Sequence, residues 1–146
     1  MIEYTIYHDR SEPSQRRIRF MKLHHIDLQV RDVRANVAFF QQHFGLTLHT
    51  NASSPAMAIL SDSHGFILVI QRRTDTGEYP EGFHVGFYME DDRAVRDLHA
   101  RVREQGADVS DVIVNNRGTS IYLRAPDGYK VEASWQRPSM VARFSG

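Results

Sequence analysis

An internal repeat constrains the fold of this chain more than any other feature. From Leu23 onward the same pattern occurs twice, and each copy opens with a short strand pattern that begins at a histidine, His25 and then His84. An aspartate lies seven residues after each histidine, and a helical stretch, a glycine and three further strand patterns complete each copy. The repeat predicts two βαβββ modules, residues 23–71 and 83–136, and therefore an α+β fold.

The predicted helices and strands have recognisable boundaries. Asp32 is a candidate N-cap of the first helix and Asp91 or Asp92 of the second, while Gly45 and Gly106 suit the position after each last turn. The apolar helix faces comprise Val33, Val37, Phe40 and Phe44 in the first helix and Ala94, Leu98 and Val102 in the second. The remaining strands are expected near residues 46–50, 56–61 and 65–71, and near 109–115, 118–124 and 128–135. Residues 115–118, Asn-Asn-Arg-Gly, are typical of a hairpin turn.

Length, composition and charge limit the classes of function. The 146 residues fit one domain, residues 23–140, between a polar N-terminal extension (1–22), expected to be flexible, and a short tail (141–146). The longest apolar run, residues 66–70, is far shorter than the ~20 residues of a membrane span, so no membrane partner is expected. Eighteen basic residues balance eighteen acidic ones, which argues against nucleic-acid binding. The chain has no cysteine, and its first twenty residues lack the apolar segment of a secretory signal, so a cytoplasmic location is expected.

Repeat-related positions predict a metal site. A sheet from one module is amphipathic and cannot close on itself, but two modules can form a cupped mixed β-sheet in which equivalent residues face each other. His25 and His84 are equivalent, and so are Val69 and Glu132, each four residues after a glycine. Three of these four positions carry metal-ligating side chains. Two imidazoles and one carboxylate on rigid strands match a three-ligand site with open coordination positions.

The same segments resemble the vicinal oxygen chelate superfamily, which includes glyoxalase I, bleomycin-resistance proteins, fosfomycin-modifying enzymes and extradiol dioxygenases. The resemblance covers residues 23–136, and its most specific segments are residues 23–33, 38–40, 44–46, 83–91 and 125–132. It implies a divalent metal ion (Fe, Mn, Ni, Zn or Co) bound by His25, His84 and Glu132. The adjacent His24 points to the opposite face of its strand, which favours His25. The resemblance also implies a homodimer and a small-molecule substrate bound to the metal through two oxygens, with the ion as Lewis acid.

Departures from the family pattern narrow the expected activity. Glyoxalase I carries a carboxylate where Val69 stands, which disfavours that activity. Fosfomycin transferases typically have threonine where Asp27 stands, and extradiol dioxygenases are typically much longer. Bleomycin-binding relatives generally lack the metal triad, so its retention favours a metal-dependent enzyme acting on an oxygen-rich substrate. The alternatives are a non-catalytic binding protein of the bleomycin-resistance type, and a structural or regulatory module with a vestigial triad.

Three further residues are candidates for catalysis. Asp27 shares a strand face with His25, where it can be a general base, a group that orients His25, or a polar residue at the rim. Tyr88 shares a face with His84, and Arg124 alternates with Tyr122 on a neighbouring strand. An arginine there suits an anionic substrate, and the alternative is a plain surface arginine. The loop 72–82 between the modules is either a linker or a lid over the site.

Overall fold

The computed structural model describes residues 21–141. The predicted extension (1–22) and tail (141–146) therefore lie almost wholly outside the described residues. The first module contains β1 His25–Val30, α1 Val33–Phe44, β2 Thr47–Leu48, β3 Met57–Ser61 and β4 Ile67–Arg72. The second contains β5 His84–Tyr88, α2 Asp92–Glu104, β6 Ile113–Val114, β7 Gly118–Arg124 and β8 Lys130–Gln136, and a short helix, α3 Pro138–Val141, follows. The predicted repeat and the α+β class are confirmed.

The strands of each module form their own mixed sheet. The strand orders are β1-β4-β3-β2 and β5-β8-β7-β6, and in each sheet the first and last strands of the module pair in parallel. Within residues 21–141 the two sheets are not hydrogen-bonded to one another, so the predicted cup is not closed within one chain; the sequence does not specify whether one chain or two complete it. Both histidine-bearing strands, β1 and β5, are edge strands.

The predicted N-caps of both helices are confirmed, and the buried face of α2 differs from the prediction at one position. The Asp32 carboxylate accepts a hydrogen bond from the Ala35 N–H, and Asp91 caps α2 in the same way. Gly45 follows α1 in the left-handed region at φ 66°, where glycine avoids steric strain. The buried face of α2 is centred on Val95, Leu98 and Val102, while Ala94 is half-buried.

The predicted edge strands are shorter than the sequence pattern indicates. In the segment 109–115, Val109 forms an isolated bridge to Leu123 and only Ile113–Val114 pairs continuously with β7. Between them the Ser110 hydroxyl accepts the Tyr122 N–H at 3.0 Å, so a side chain replaces a strand partner there. The predicted turn is present, since Asn115 N–H donates to the Gly118 carbonyl at 3.0 Å.

The helices cover one face of each sheet, α1 against β3 and β4 and α2 against β7 and β8. We call this the back face and the opposite one the front face. The modules join through back-face residues: Phe44 stacks on Phe87 with ring centroids 4.5 Å apart, and Tyr129 donates to the Asn36 side chain at 2.6 Å. Within residues 21–141, no helix is long and apolar enough to cross a membrane.

Candidate metal centre

Strand register determines which side chains meet on the front face of the second sheet. His84 pairs with Lys130, which pairs with Arg124, so these three form one row across β5, β8 and β7. Gly86, Glu132 and Tyr122 form the next row. Directly paired residues point to the same face, and alternation puts both rows on the face opposite the buried Val131 and Ala133. The polar side chains of three strands are therefore presented together.

His84 and Glu132 are brought into direct contact. Their Nε2 and Oε2 atoms are 3.3 Å apart, although the residues are 48 positions apart in the chain. The His84 side chain is 43% exposed and that of Glu132 is 21% exposed, so both are accessible to a ligand from the front. Gly86 lies opposite Glu132 and has no side chain to fill the space beside the carboxylate. This is the arrangement the sequence predicts for two of its three ligands.

The other nitrogen of His84 sets the state of the ring. His84 Nδ1 lies 3.0 Å from the Gly82 carbonyl oxygen, which can only accept, so Nδ1 carries a proton. In the neutral imidazole, Nε2 then carries a lone pair and acts as an acceptor 3.3 Å from the Glu132 Oε2 atom. Two hydrogen-bond acceptors in contact require a cation or a proton between them. A backbone carbonyl that fixes the tautomer and orientation is a common support for a metal-binding histidine.

Tyr122 completes the immediate surroundings. Its ring lies edge-on to the His84 ring with centroids 5.8 Å apart. Burial, and then the negative charge of Glu132, raise the pKa of the Tyr122 hydroxyl above its usual range. The phenol therefore stays protonated at neutral pH and can donate a hydrogen bond to Glu132 or to a bound substrate.

His25 lies on the other sheet. It begins β1, where its exposed side chain shares the front face with Asp27 and Gln29, opposite the buried Leu28 and Val30. Among residues 21–141 no three His, Asp or Glu side chains lie close enough to hold one metal ion, so a single chain does not bring His25 to the His84–Glu132 pair. The equivalence of His25 and His84 predicts that His25 lies on the front face of its sheet. It does not predict whether His25 faces the His84–Glu132 pair of its own chain or that of a second copy.

The three residues predicted to act in catalysis lie on the front faces. Both oxygens of Asp27 accept from amides, Oδ1 from Gln29 at 2.6 Å and Oδ2 from Gln71, so the carboxylate is held by these side chains and not by His25. Tyr88 is 59% exposed two rows from the His84 end of the sheet. Arg124 lies in the same row as His84.

A cavity of about 570 Å³ opens beside His84, and some of the residues that line it were not predicted from the sequence. Its lining includes Glu81, Asp108, Tyr122, Arg124 and Lys130. Lys130 is two residues before Glu132 in the same strand, so strand alternation alone places it on the front face. Glu81 had no such signal, because it comes from the loop between the modules. The loop is held at Tyr79, whose hydroxyl contacts both the N–H and the carbonyl of Gln29, while its residue Glu81 lines the cavity.

Comparisons with known proteins identify the class. A family model described as the Glyoxalase/Bleomycin resistance protein/Dioxygenase superfamily matches residues 22–133. Since this is most of the chain, the protein belongs to that superfamily, and the resemblance seen in the sequence is confirmed. A search of curated proteins gave no match.

Solved structures agree with this assignment. A possible glyoxalase from Bacillus cereus is 32% identical with a TM-score of 0.70, and the match covers 79% of this chain and 99% of that one. The fosfomycin resistance protein FosX from Listeria monocytogenes, complexed with Mn(II) and sulfate, is 22% identical with a TM-score of 0.69, covering 86% and 98%. Lactoylglutathione lyase from Agrobacterium tumefaciens is 22% identical with a TM-score of 0.66, covering 78% and 92%. At this identity the last two show the fold alone.

Proposed function

We propose that this protein is a metal-dependent enzyme that acts on a small oxygen-rich substrate bound to a divalent ion. His84 and Glu132 of one chain and His25 of a second copy are the proposed ligands. The observation that carries the proposal is the 3.3 Å contact between His84 Nε2 and Glu132 Oε2, with the His84 ring held by the Gly82 carbonyl 3.0 Å from Nδ1. A bound cation satisfies both acceptors at once.

The geometry of the pair fits one ion. Two ligands at the roughly 2.0–2.2 Å typical of zinc–nitrogen and zinc–oxygen bonds lie about 2.8–3.6 Å from each other, depending on the angle at the ion. The observed 3.3 Å falls in this range. Imidazole and carboxylate ligands without thiolate suit Fe, Mn, Ni, Zn or Co, and the chain has no cysteine to offer.

The third ligand is proposed to come from a homodimer. β1 and β5 are edge strands, and an edge has free N–H and C=O groups that another strand can pair with. Placing β1 of one copy beside β5 of the other would set His25 next to His84 and join two four-stranded sheets into a cup. A twofold dimer then contains two equivalent sites.

Residues around the ion have distinct proposed roles. When bound, the metal acts as a Lewis acid toward the substrate's oxygens. Tyr122 keeps its proton and donates to an oxygen of the substrate. Asp27, on the front face of the first sheet with His25, is the proposed general base. Val69 occupies the fourth repeat-related position, leaving room for a substrate that chelates through two oxygens.

Metal titration tests the proposal directly. The wild-type protein is expected to bind Mn²⁺ or Zn²⁺ at about one ion per chain, and His84→Ala or Glu132→Gln to weaken binding by more than about a hundredfold. His64→Ala is the matched control, because His64 is exposed and its ring forms a hydrogen bond with the neighbouring Ser63 hydroxyl, away from His84 and Glu132 in the sequence. Metal binding that is absent in the wild type, or unchanged in His84→Ala, refutes the proposal.

One observation favours the non-catalytic alternative. The front face of the first sheet is apolar at Ile59, Ile67 and Val69, which are only half-buried and can accept a hydrophobic ligand. A binding protein of this type holds its ligand after metal has been removed. Ligand affinity that survives a chelator unchanged would support this alternative over the enzyme.

A further inference from the structure

A row of positive side chains lies next to the proposed metal ligands. Lys130 and Arg124 are cross-strand partners, and Lys130 is also the direct partner of His84. Both cations line the cavity that His84 lines. They lie one row from Glu132, so an ion at the His84–Glu132 pair and these two side chains can contact opposite ends of one small molecule.

Glu81 contacts both cations. Its Oε1 atom lies 2.7 Å from Lys130 Nζ and 3.4 Å from Arg124 Nη2. The Glu81 side chain is 76% exposed and belongs to the loop between the modules, whereas the Lys130 side chain is only 28% exposed. The Glu81 carboxylate is therefore a surface group that contacts less exposed cations on the front face of the sheet. Exposed ion pairs of this kind are weak and exchange readily with other anions.

Arg124 is positioned independently of Glu81. Its Nη1 atom donates to the Gly128 carbonyl at 2.8 Å, and its Nε atom lies 3.6 Å from Asp108. These contacts fix the plane of the guanidinium and leave Nη2 directed toward Glu81. The neighbouring Lys130 adds a mobile ammonium with three donors. A planar donor beside a flexible cation suits a carboxylate, phosphonate or phosphate group.

We propose that Arg124 and Lys130 form a subsite for an anionic group of the substrate, and that the Glu81 carboxylate occupies this subsite until the substrate displaces it. The proposal concerns the substrate class of the metal site described above. Its metal-bound end rests on the proposed function, whereas the Arg124–Lys130 subsite does not require the metal. Successive rows of a strand face are roughly 6–7 Å apart. The substrate is accordingly an acid whose second anionic group lies about that distance from its metal-binding oxygens, such as a 2-hydroxy dicarboxylate or a 2-hydroxy carboxylate with a distal phosphonate.

Phosphate binding to the metal-free protein tests the subsite without the metal. Glu81→Gln, which removes the competing charge with almost no change of shape, is expected to raise phosphate affinity about two- to fivefold. Lys130→Met is expected to lower it about tenfold or more. Lys22→Met and Arg93→Met are charge-matched controls, since Lys22 is the other lysine of the chain and Arg93 is an exposed residue of α2. Calorimetric titration reads out the affinity, and circular dichroism verifies the fold of each variant. Phosphate affinity that is unchanged in Glu81→Gln and in a folded Lys130→Met overturns the proposal.

A matched pair of acids tests the proposed substrate class in the Mn²⁺-loaded protein. 2-Hydroxyglutarate and 2-hydroxypentanoate share the metal-binding end, but only the first has a distal carboxylate. We expect 2-hydroxyglutarate to bind at least about tenfold more tightly, and Lys130→Met to remove the difference. Equal affinities for the two acids overturn the subsite and leave the metal site standing. Lys130-dependent phosphate binding in a protein that binds no metal refutes the enzyme and leaves the subsite standing.

Discussion

Removing the Tyr129 hydroxyl should destabilise the protein, because that hydroxyl makes a buried hydrogen bond between the modules. Tyr129 is 1% exposed and donates at 2.6 Å to the side-chain oxygen of Asn36 on α1. Asn36 is itself fully buried. The Asn36 amide in turn donates to the Asp32 carbonyl and to Asp127 of the second module, each at 2.7 Å. Asp127 also accepts the Arg31 N–H at 2.6 Å. These contacts link the start of α1 to the turn before β8.

The cost of Tyr129→Phe follows from the atom it leaves behind. The ring keeps its packing against Phe40, with centroids 6.5 Å apart, so little apolar burial is lost. The Asn36 side-chain oxygen loses its partner in a site without water access. An unsatisfied buried acceptor costs about 1–3 kcal/mol of unfolding free energy. In a chain of this size each kcal/mol lowers the melting temperature by about 2–4 °C.

Urea unfolding at fixed protein concentration measures this cost. Tyr88→Phe is the matched control, because Tyr88 is 59% exposed and its hydroxyl is a distant 3.4 Å from the Gln136 carbonyl; a change below about 0.5 kcal/mol is expected. Tyr129→Phe combined with Asn36→Leu should cost less than the sum of the single changes, by about 0.5–3 kcal/mol. A Tyr129→Phe variant as stable as the wild type, or strictly additive changes, would refute the assigned link between the modules.

Three further outcomes are expected. Gly118→Ala should destabilise the hairpin by roughly 1–3 kcal/mol, because the added methyl would overlap the Trp135 carbonyl oxygen; a thermal melt equal to wild type contradicts this. Since the folded pKa of Tyr122 is raised, its protonated form contributes stability that is complete below about pH 10, the unfolded value, and is lost as pH rises through the folded value. Unfolding free energies from pH 8 to pH 11 should fall less in Tyr122→Phe than in wild type, and identical slopes would show the assignment to be wrong. Asp27→Asn should lower the turnover of any substrate found while leaving Mn²⁺ affinity within about threefold, as befits a base that does not bind the ion; a large loss of metal affinity would instead make Asp27 a ligand.

The helices and strands of this fold could largely be predicted from local sequence signals. Asp32, Gly45 and Asp91 act at the ends of helices through contacts within a few residues, so their roles are legible in the chain itself. Strand alternation in the same way places Glu132 on one face of β8. The weak points are the edge strands, where the Ser110 side chain replaces a backbone partner.

Contacts between distant parts of the chain were beyond the sequence. The repeat predicts that His25 and His84 are equivalent, yet it does not specify whether the modules of one chain or of two chains face each other. The buried bond from Tyr129 to Asn36 joins residues 93 positions apart. The contact of Glu81 with Lys130 depends on the path of a loop that has no periodicity. Such pairings are set by tertiary packing and not by local pattern.

Complementation between two defective variants tests the shared metal site most directly. His25→Ala and Glu132→Ala are each expected to bind no Mn²⁺ tightly, because each dimer then lacks one ligand at both sites. When equal amounts are unfolded together and refolded, half of the dimers are mixed, and each mixed dimer regains one intact site. Recovery of about a quarter of a tight Mn²⁺ site per chain is expected. No recovery in a mixture shown to contain mixed dimers would contradict a site shared between two copies.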